Sequence, residues 1–182
     1  MVYNNPSEKG GSGLERFSEL RRRTACFTGH RELGHAPGEL EARVDASIRD
    51  LYARGVRHFG AGGARGFDAL ASERVLALKE ELPELSLILV LPFPEQYRQE
   101  GNWSREELAQ FDHLLLRADK TVTLETGYSP GVYQRRNRYL VDRSAFCVCY
   151  LQRMRSGTGG TVRYARSRGL EILDLFPYDF RL

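Results

Sequence analysis

The sequence predicts an α/β fold: a Rossmann-like, doubly wound, mainly parallel sheet. Three observations carry this. Apolar stretches of strand length alternate with stretches of helical period along the chain, which is the pattern of a parallel sheet with helical crossovers. Residues 86–91, Ser-Leu-Ile-Leu-Val-Leu, are apolar without alternation, as in a strand covered on both faces. Two glycine-rich segments, 60–68 and 156–161, each stand between a strand and a helix. No repeat of fixed period runs through the chain.

Residues 1–22 are expected to form a disordered lead. They are polar and rich in Gly, Asn and Ser up to about Gly13, with at most a short helical turn at 14–20. A single domain then spans residues 23–182. Its first strand is 24–28, Thr-Ala-Cys-Phe-Thr, running into Gly29-His30-Arg31. Leu40, Val44, Ile48 and Leu51 recur at helical spacing and place a helix at 38–54. Pro37 suits its start, and Gly55 its C′ stop. The second strand is expected at 56–59. A helix at 69–78 follows, carrying Leu70, Val75 and Leu78, and ends before Pro83. The strand 86–91 stops at Pro92-Phe93-Pro94. Ser104 and Glu107 have capping-box spacing, so a helix is expected at 104–118 with Leu108, Phe111 and Leu115 inward. Strand 120–124, helix 133–144, strand 145–151, a loop through 160, a helix at 161–168 and strand 170–175 complete the alternation.

Composition bounds the class. The chain has 182 residues, 41% of them hydrophobic and 28% charged, enough for one domain with a substantial core. No apolar run reaches membrane-spanning length, and the amino terminus lacks the apolar region of a secretory signal. A cytoplasmic protein is expected, with no membrane partner. The net charge of +3 is too small to argue for nucleic acid by itself, although positive residues cluster at 21–23, 135–138 and 153–168. Three cysteines, Cys26, Cys147 and Cys149, lie inside apparent strands and read as buried thiols rather than a disulfide framework or a metal site. No metal is expected.

In a parallel sheet the right-handed crossovers bring every strand-to-helix loop to one edge, where ligands bind at the point of strand-order reversal. Four loops are therefore expected to meet: 28–31, 60–68, 126–131 and 156–161. The first glycine-rich segment contains Gly62, Gly63, Ala64, Arg65, Gly66 and Asp68. Its glycines let the backbone approach an anion, and the helix start after it presents N–H groups. Its spacing is neither the Walker pattern nor the usual dinucleotide fingerprint. The second contains Ser156, Gly157, Thr158, Gly159, Gly160 and Thr161, with hydroxyls and backbone N–H groups at a helix start. Two such loops point to a ligand carrying a phosphate or diphosphate. The alternative for each is an ordinary tight turn.

The end of the first strand, Thr28-Gly29-His30-Arg31, the loop 62–68, the run 136–144 and the loop 156–158 together resemble the SLOG superfamily, which joins the DprA/Smf DNA-processing proteins with the LOG enzymes. Within it the pattern is most like the YpsA-like branch, of unknown function. The resemblance covers about residues 24–176. It implies a Rossmann-like fold and a nucleotide or nucleotide-derived ligand, either a nucleoside monophosphate or one like NAD or ADP-ribose. LOG enzymes carry a glutamate in their glycine motif. If Gly157-Thr158 matches the Gly-Thr of that motif, Thr161 occupies the glutamate position, and the preceding Pro-Gly is missing too.

Individual residues keep two readings. Asp68 reads as a partner for a ribose hydroxyl or as a helix cap. Glu73 reads as a cleft carboxylate or a solvated helix residue. These two are the candidate catalytic acids. Thr28, Gly29 and His30 sit at a strand end in the crevice, and Arg31 and Arg65 are candidate phosphate partners. Arg136 and Asn137 could serve a ligand, DNA or a helix face. Trp103 and Tyr128 could stack on a base or pack internally. The resulting expectation is a nucleotide-binding protein that senses or processes its ligand. The alternatives are a LOG-like nucleoside monophosphate phosphoribohydrolase and a DprA-like binder of single-stranded DNA. A homo-oligomer is compatible with either.

Overall fold

The computed structural model describes residues 12–34 and 38–176. The expectations for residues 1–11 and for Pro37 lie outside them. Six strands form one sheet in the order β4-β3-β2-β1-β5-β6, with every neighbouring pair parallel. The strands are β1 (Thr24–Gly29), β2 (His58–Ala61), β3 (Ser86–Leu91), β4 (Lys120–Thr123), β5 (Phe146–Tyr150) and β6 (Glu171–Asp174). The helices are α1 (Gly13–Arg22), α2 (Glu39–Ala53), α3 (Phe67–Leu78), α4 (Gln96–Glu100), α5 (Arg105–Arg117), α6 (Val132–Asp142) and α7 (Gly157–Ser167).

Alternation along the strands divides the core in two. On one face Ala25, Phe27, Phe59, Leu87, Leu89, Val148 and Tyr150 pack against α2, α3 and α5. On the other, Cys26, Val90, Cys147 and Cys149 pack against α6 and α7. The strand period of two produces both sets from the same segments. All three cysteines are free and buried on the α7 side. Among the described residues no helix is long and apolar enough to cross a membrane.

Several boundaries differ from the expected ones for identifiable reasons. Residues 13–22 are a full helix rather than the end of a lead. Ser12 and Glu15 exchange side-chain and backbone hydrogen bonds in a capping box that starts it. The second strand begins at His58 because the N–H of Val56 is used elsewhere: it donates to the carbonyl of Leu51 at 2.9 Å, while Gly55 donates to Tyr52 at 3.0 Å. That is a Schellman motif closing α2 over Gly55, whose φ is 94°. The last helix closes identically: Leu170 donates to Ala165 and Gly169 to Arg166, each at 3.0 Å, so β6 starts at Glu171. Residues 157–160, expected in a loop, form the first turn of α7. The short α4 was not expected at all.

The order in which strands are added reverses between β1 and β5. From β1 the chain builds outward through β2, β3 and β4, then crosses back to lay β5 on the other side of β1. The crevice at the carboxyl ends of β1 and β5 is the switch point of the fold.

Candidate functional site

A cavity of about 400 Å³ occupies that crevice. Thr28, Gly29, His30 and Arg31 line it from the end of β1, Ala64 and Asp68 from the β2–α3 segment, and Tyr133, Arg136 and Asn137 from α6. Ser156, Gly157 and Thr158 line it from the start of α7, with Gln152 and Arg153 from the end of β5. Close packing brings the β1 end and α3 together. A Cβ on Gly29 would lie 2.3 Å from that of Phe67, and the Phe67 N–H donates to the His30 carbonyl at 3.1 Å. Gly66, at φ 73°, makes the turn that permits this contact.

The floor is a charged clamp on the first glycine loop. The Gly62 N–H donates to Asp68 Oδ2 at 2.9 Å. A Cβ on Gly62 would lie 1.4 Å from Arg136 Nη1 and 2.9 Å from Asp68 Oδ2. A guanidinium and a carboxylate thus meet over the same point of backbone, and both residues are more than nine-tenths buried, at 6% and 7% exposure. From beneath, the fully buried Gln96 donates through Nε2 to the carbonyls of Gly62 and Gly63. Asp68 therefore holds the loop, six residues back, rather than capping its own helix.

At the opposite wall, Ser156 caps α7. Its Oγ accepts from the Gly159 N–H at 3.0 Å and donates to the Arg153 carbonyl at 2.6 Å, while the Gly160 N–H donates to the Ser156 carbonyl at 2.9 Å. Gly159 is a packing glycine, since a Cβ there would lie 2.1 Å from the Met154 carbonyl oxygen. The N–H groups of Gly157 and Thr158 are the first two of the helix and lie before any intrahelical acceptor. Both residues line the cavity. They are oriented donors at the positive end of a helix dipole.

His30 sits between these walls, 8% exposed. Its Nδ1 is 3.0 Å from the Tyr150 carbonyl oxygen and 3.2 Å from the Gln152 nitrogen. One nitrogen cannot serve both: protonated it donates to Tyr150, unprotonated it accepts from Gln152. In the first tautomer Nε2 is an acceptor, in the second a donor. Nε2 is itself buried without a hydrogen-bond partner among the described residues, on a ring that lines the cavity.

The other expected site residues divide. Asn137 donates to Thr161 Oγ1 at 2.9 Å, which in turn donates to the Gly157 carbonyl at 3.1 Å, so this pair braces α6 against the start of α7. Thr161 and Gly160 line the adjoining α6–α7 groove rather than the crevice. Gly63 faces away, towards Leu91, Gln96 and Phe111. Arg65 goes with it: it donates to the Asn102 carbonyl at 3.0 Å, pairs with Glu107 at 3.4 Å and lies over Trp103. Glu73, in the middle of α3, lines none of the cavity. The 126–131 loop does not line it either; α6, which that loop introduces, does. Trp103 packs on Phe111 and Tyr128 on Phe93. Sequence reasoning missed Gln96, Tyr133, Gln152, Arg153 and Glu32. Gln152 and Arg153 follow a strand end and were reachable by the switch-point rule; a glutamine clamp in a short helix has no local signature. Among the described residues no group of three or more His, Cys, Asp or Glu could hold a metal ion.

The cysteines take no part. The neighbouring Cys26 thiol and burial push Cys147 up, and burial together with the Asp174 carboxylate pushes Cys149 up, so both stay neutral thiols.

Comparison with known proteins gives a consistent picture. A family model described as the YspA SLOG family matches residues 39–167. The chain is 29% identical over 160 residues to the uncharacterized SPbeta prophage-derived protein YoqJ of Bacillus subtilis (strain 168), covering 79% of this chain and 92% of that one. It is 31% identical over 84 residues to the UPF0398 protein YpsA of the same organism, covering 45% of each chain. Among solved structures it resembles DNA processing protein A from Helicobacter pylori, described for its single-stranded DNA binding mode. That match has a TM-score of 0.58 at 16% identity and covers 86% of this chain and 66% of the other. At that identity the likeness concerns the fold. The chain spans just under two thirds of that protein and less than half of YpsA.

Proposed function

The chain belongs to the YpsA family of the SLOG superfamily, and from that premise we propose that it binds a nucleotide or nucleotide-derived ligand in the β1–β5 crevice without cleaving it. One observation carries the reading: the outward N–H groups at the start of α7 and the buried, unpartnered Nε2 of His30 line the same cavity. The first suit a phosphate, the second a single directed hydrogen bond to the rest of the ligand. Arg31 and Arg153 stand at the rim and add positive potential.

The acid groups argue against turnover. Cleavage of an N-glycosidic bond needs a carboxylate to stabilise the oxocarbenium-like charge or activate water. Asp68 is engaged by the Gly62 N–H beside the Arg136 guanidinium, and Thr161 is neutral and bonded to Asn137. Glu32 reaches only the exposed lip. Extended nucleic acid is the weaker reading, because much of the clustered positive charge is used internally. Arg135 pairs with Glu125, Arg168 with Asp142, and Arg21 donates to the Arg168 carbonyl.

The test is mass spectrometry of whatever small molecule is released on denaturing the purified protein, followed by calorimetry and a base-release assay with a nucleotide panel. A bound nucleotide that is returned intact supports the reading. Robust base release that Asp68→Asn abolishes would replace it with the hydrolase, and tight binding of single strands at physiological salt would replace it with the DNA binder.

A further inference from the structure

A second hollow, of about 660 Å³, lies between α6 and α7. It shares Tyr133 and Asn137 of α6 and Ser156 and Gly157 at the start of α7 with the crevice, so the two adjoin there. Each falls within the range of small-molecule pockets, about 300–1,000 Å³. Gly157 stands at the seam, with Thr158 on its crevice side.

The glycines of α7 show which surfaces the protein keeps bare without an internal reason. Gly159 needs to be glycine, because Met154 presses on it. Gly160 does not: a Cβ there would meet nothing nearer than Arg163 Nη2 at 3.9 Å, and one on Gly157 would meet nothing within 4 Å. Glycine inside a helix costs about 0.5–1 kcal/mol relative to alanine. Gly160 faces the second hollow and Gly157 the seam. A bare backbone that packing does not require is suited to contact with something from outside. Further along the hollow, the Arg138 guanidinium lies 5.4 Å from the centre of the Tyr164 ring, and the Tyr164 hydroxyl is anchored on Asp142 at 2.9 Å. That is a positive, flat and fixed surface, fit for an anionic group or a ring.

We propose that the ligand has two nucleoside units bridged through phosphate, the bridge at the start of α7 and one unit in each hollow. The inference rests on the crevice being a nucleotide site. Its test is calorimetry of the full chain with three probes: AMP, the 5′–5′ pyrophosphate dinucleotide NAD⁺, and the 3′–5′ dinucleotide pApA. The expected result is that one dinucleotide binds at least about tenfold more tightly than AMP, and which one tells a pyrophosphate ligand from a nucleic-acid fragment. Gly160→Leu, whose Cβ meets nothing nearer than 3.9 Å, and Arg138→Glu should both remove that advantage and leave AMP binding unchanged, with the circular dichroism spectrum as the check on folding. If AMP binds and neither dinucleotide exceeds it, or if both variants keep the advantage, the two-unit ligand is overturned and the crevice reading stands. If no probe binds, both fall.

Discussion

Replacing Gly62 with alanine is the sharpest perturbation of the site. Gly62 has no positive φ, so the backbone accepts a side chain; the conflict is steric. The new Cβ would sit 1.4 Å from Arg136 Nη1 and 2.3 Å from its Cζ, well inside contact distance, so the guanidinium must leave. Arg136 is 6% exposed and shares this point with Asp68, so its departure disrupts a buried charged cluster. Overpacking of this kind costs about 1–3 kcal/mol. For a chain of this length each kcal/mol lowers Tm by about 2–4 °C, so the expected fall is about 2–12 °C. Arg136 lines the crevice, so a guanidinium displaced into it should also lower nucleotide affinity, by about tenfold or more. Thermal unfolding and calorimetry on the same preparation read both effects. Gly157→Ala is the matched control: nothing lies within 4 Å of its Cβ, so Tm should hold or rise while affinity falls. A Gly62→Ala protein with wild-type Tm and affinity would refute the clamp as described.

Gln96→Ala leaves the carbonyls of Gly62 and Gly63 without their side-chain donor inside the fold; an unsatisfied buried acceptor costs about 1–3 kcal/mol, so thermal unfolding should show a drop comparable to Gly62→Ala. Asp68→Asn keeps an acceptor for the Gly62 N–H but removes the negative charge beside Arg136; stability and affinity should both fall, with no change in base release, and an unaltered Tm would sink the electrostatic part of the argument. The raised Cys147 and Cys149 predict an alkaline limit: the unfolded thiols ionise near the ordinary 9.0 while the folded ones stay protonated, so stability is intact below that pH and is lost as pH rises above it. Denaturant midpoints measured on either side of pH 9.0 check this, and replacing both cysteines with alanine should flatten the slope.

The strand and helix alternation was readable because each element carries its own period, and Ser86–Leu91 was placed to the residue. Errors fell where a residue's hydrophobicity says one thing and its N–H does another. Val56 and Leu170 are apolar and precede strands, but their N–H groups close the helices before them. The site was half legible. Glycine spacing locates loops but cannot tell a glycine that avoids a neighbour from one beside open space: Gly62, Gly63 and Gly159 are of the first kind, Gly157 and Gly160 of the second. Arg136, within the basic run 135–138, reads from sequence as a residue for a ligand, DNA or a helix face; the turn of α6 points it inward while Arg135 and Arg138 face outward. Which of the arginines at 135, 136 and 138 is buried depends on how α6 packs, and that is a tertiary fact.

In the proposed complex a nucleotide's phosphate sits on the first N–H groups of α7. Amide NMR of the labelled protein during titration with AMP reads this contact residue by residue. The largest shifts should fall on Gly157 and Thr158, with His30 following, while Gly63 and Arg65, on the far side of the loop, barely move. Shifts centred on Gly63 and Arg65, or spread without focus while Gly157 and Thr158 stay still, would contradict that contact.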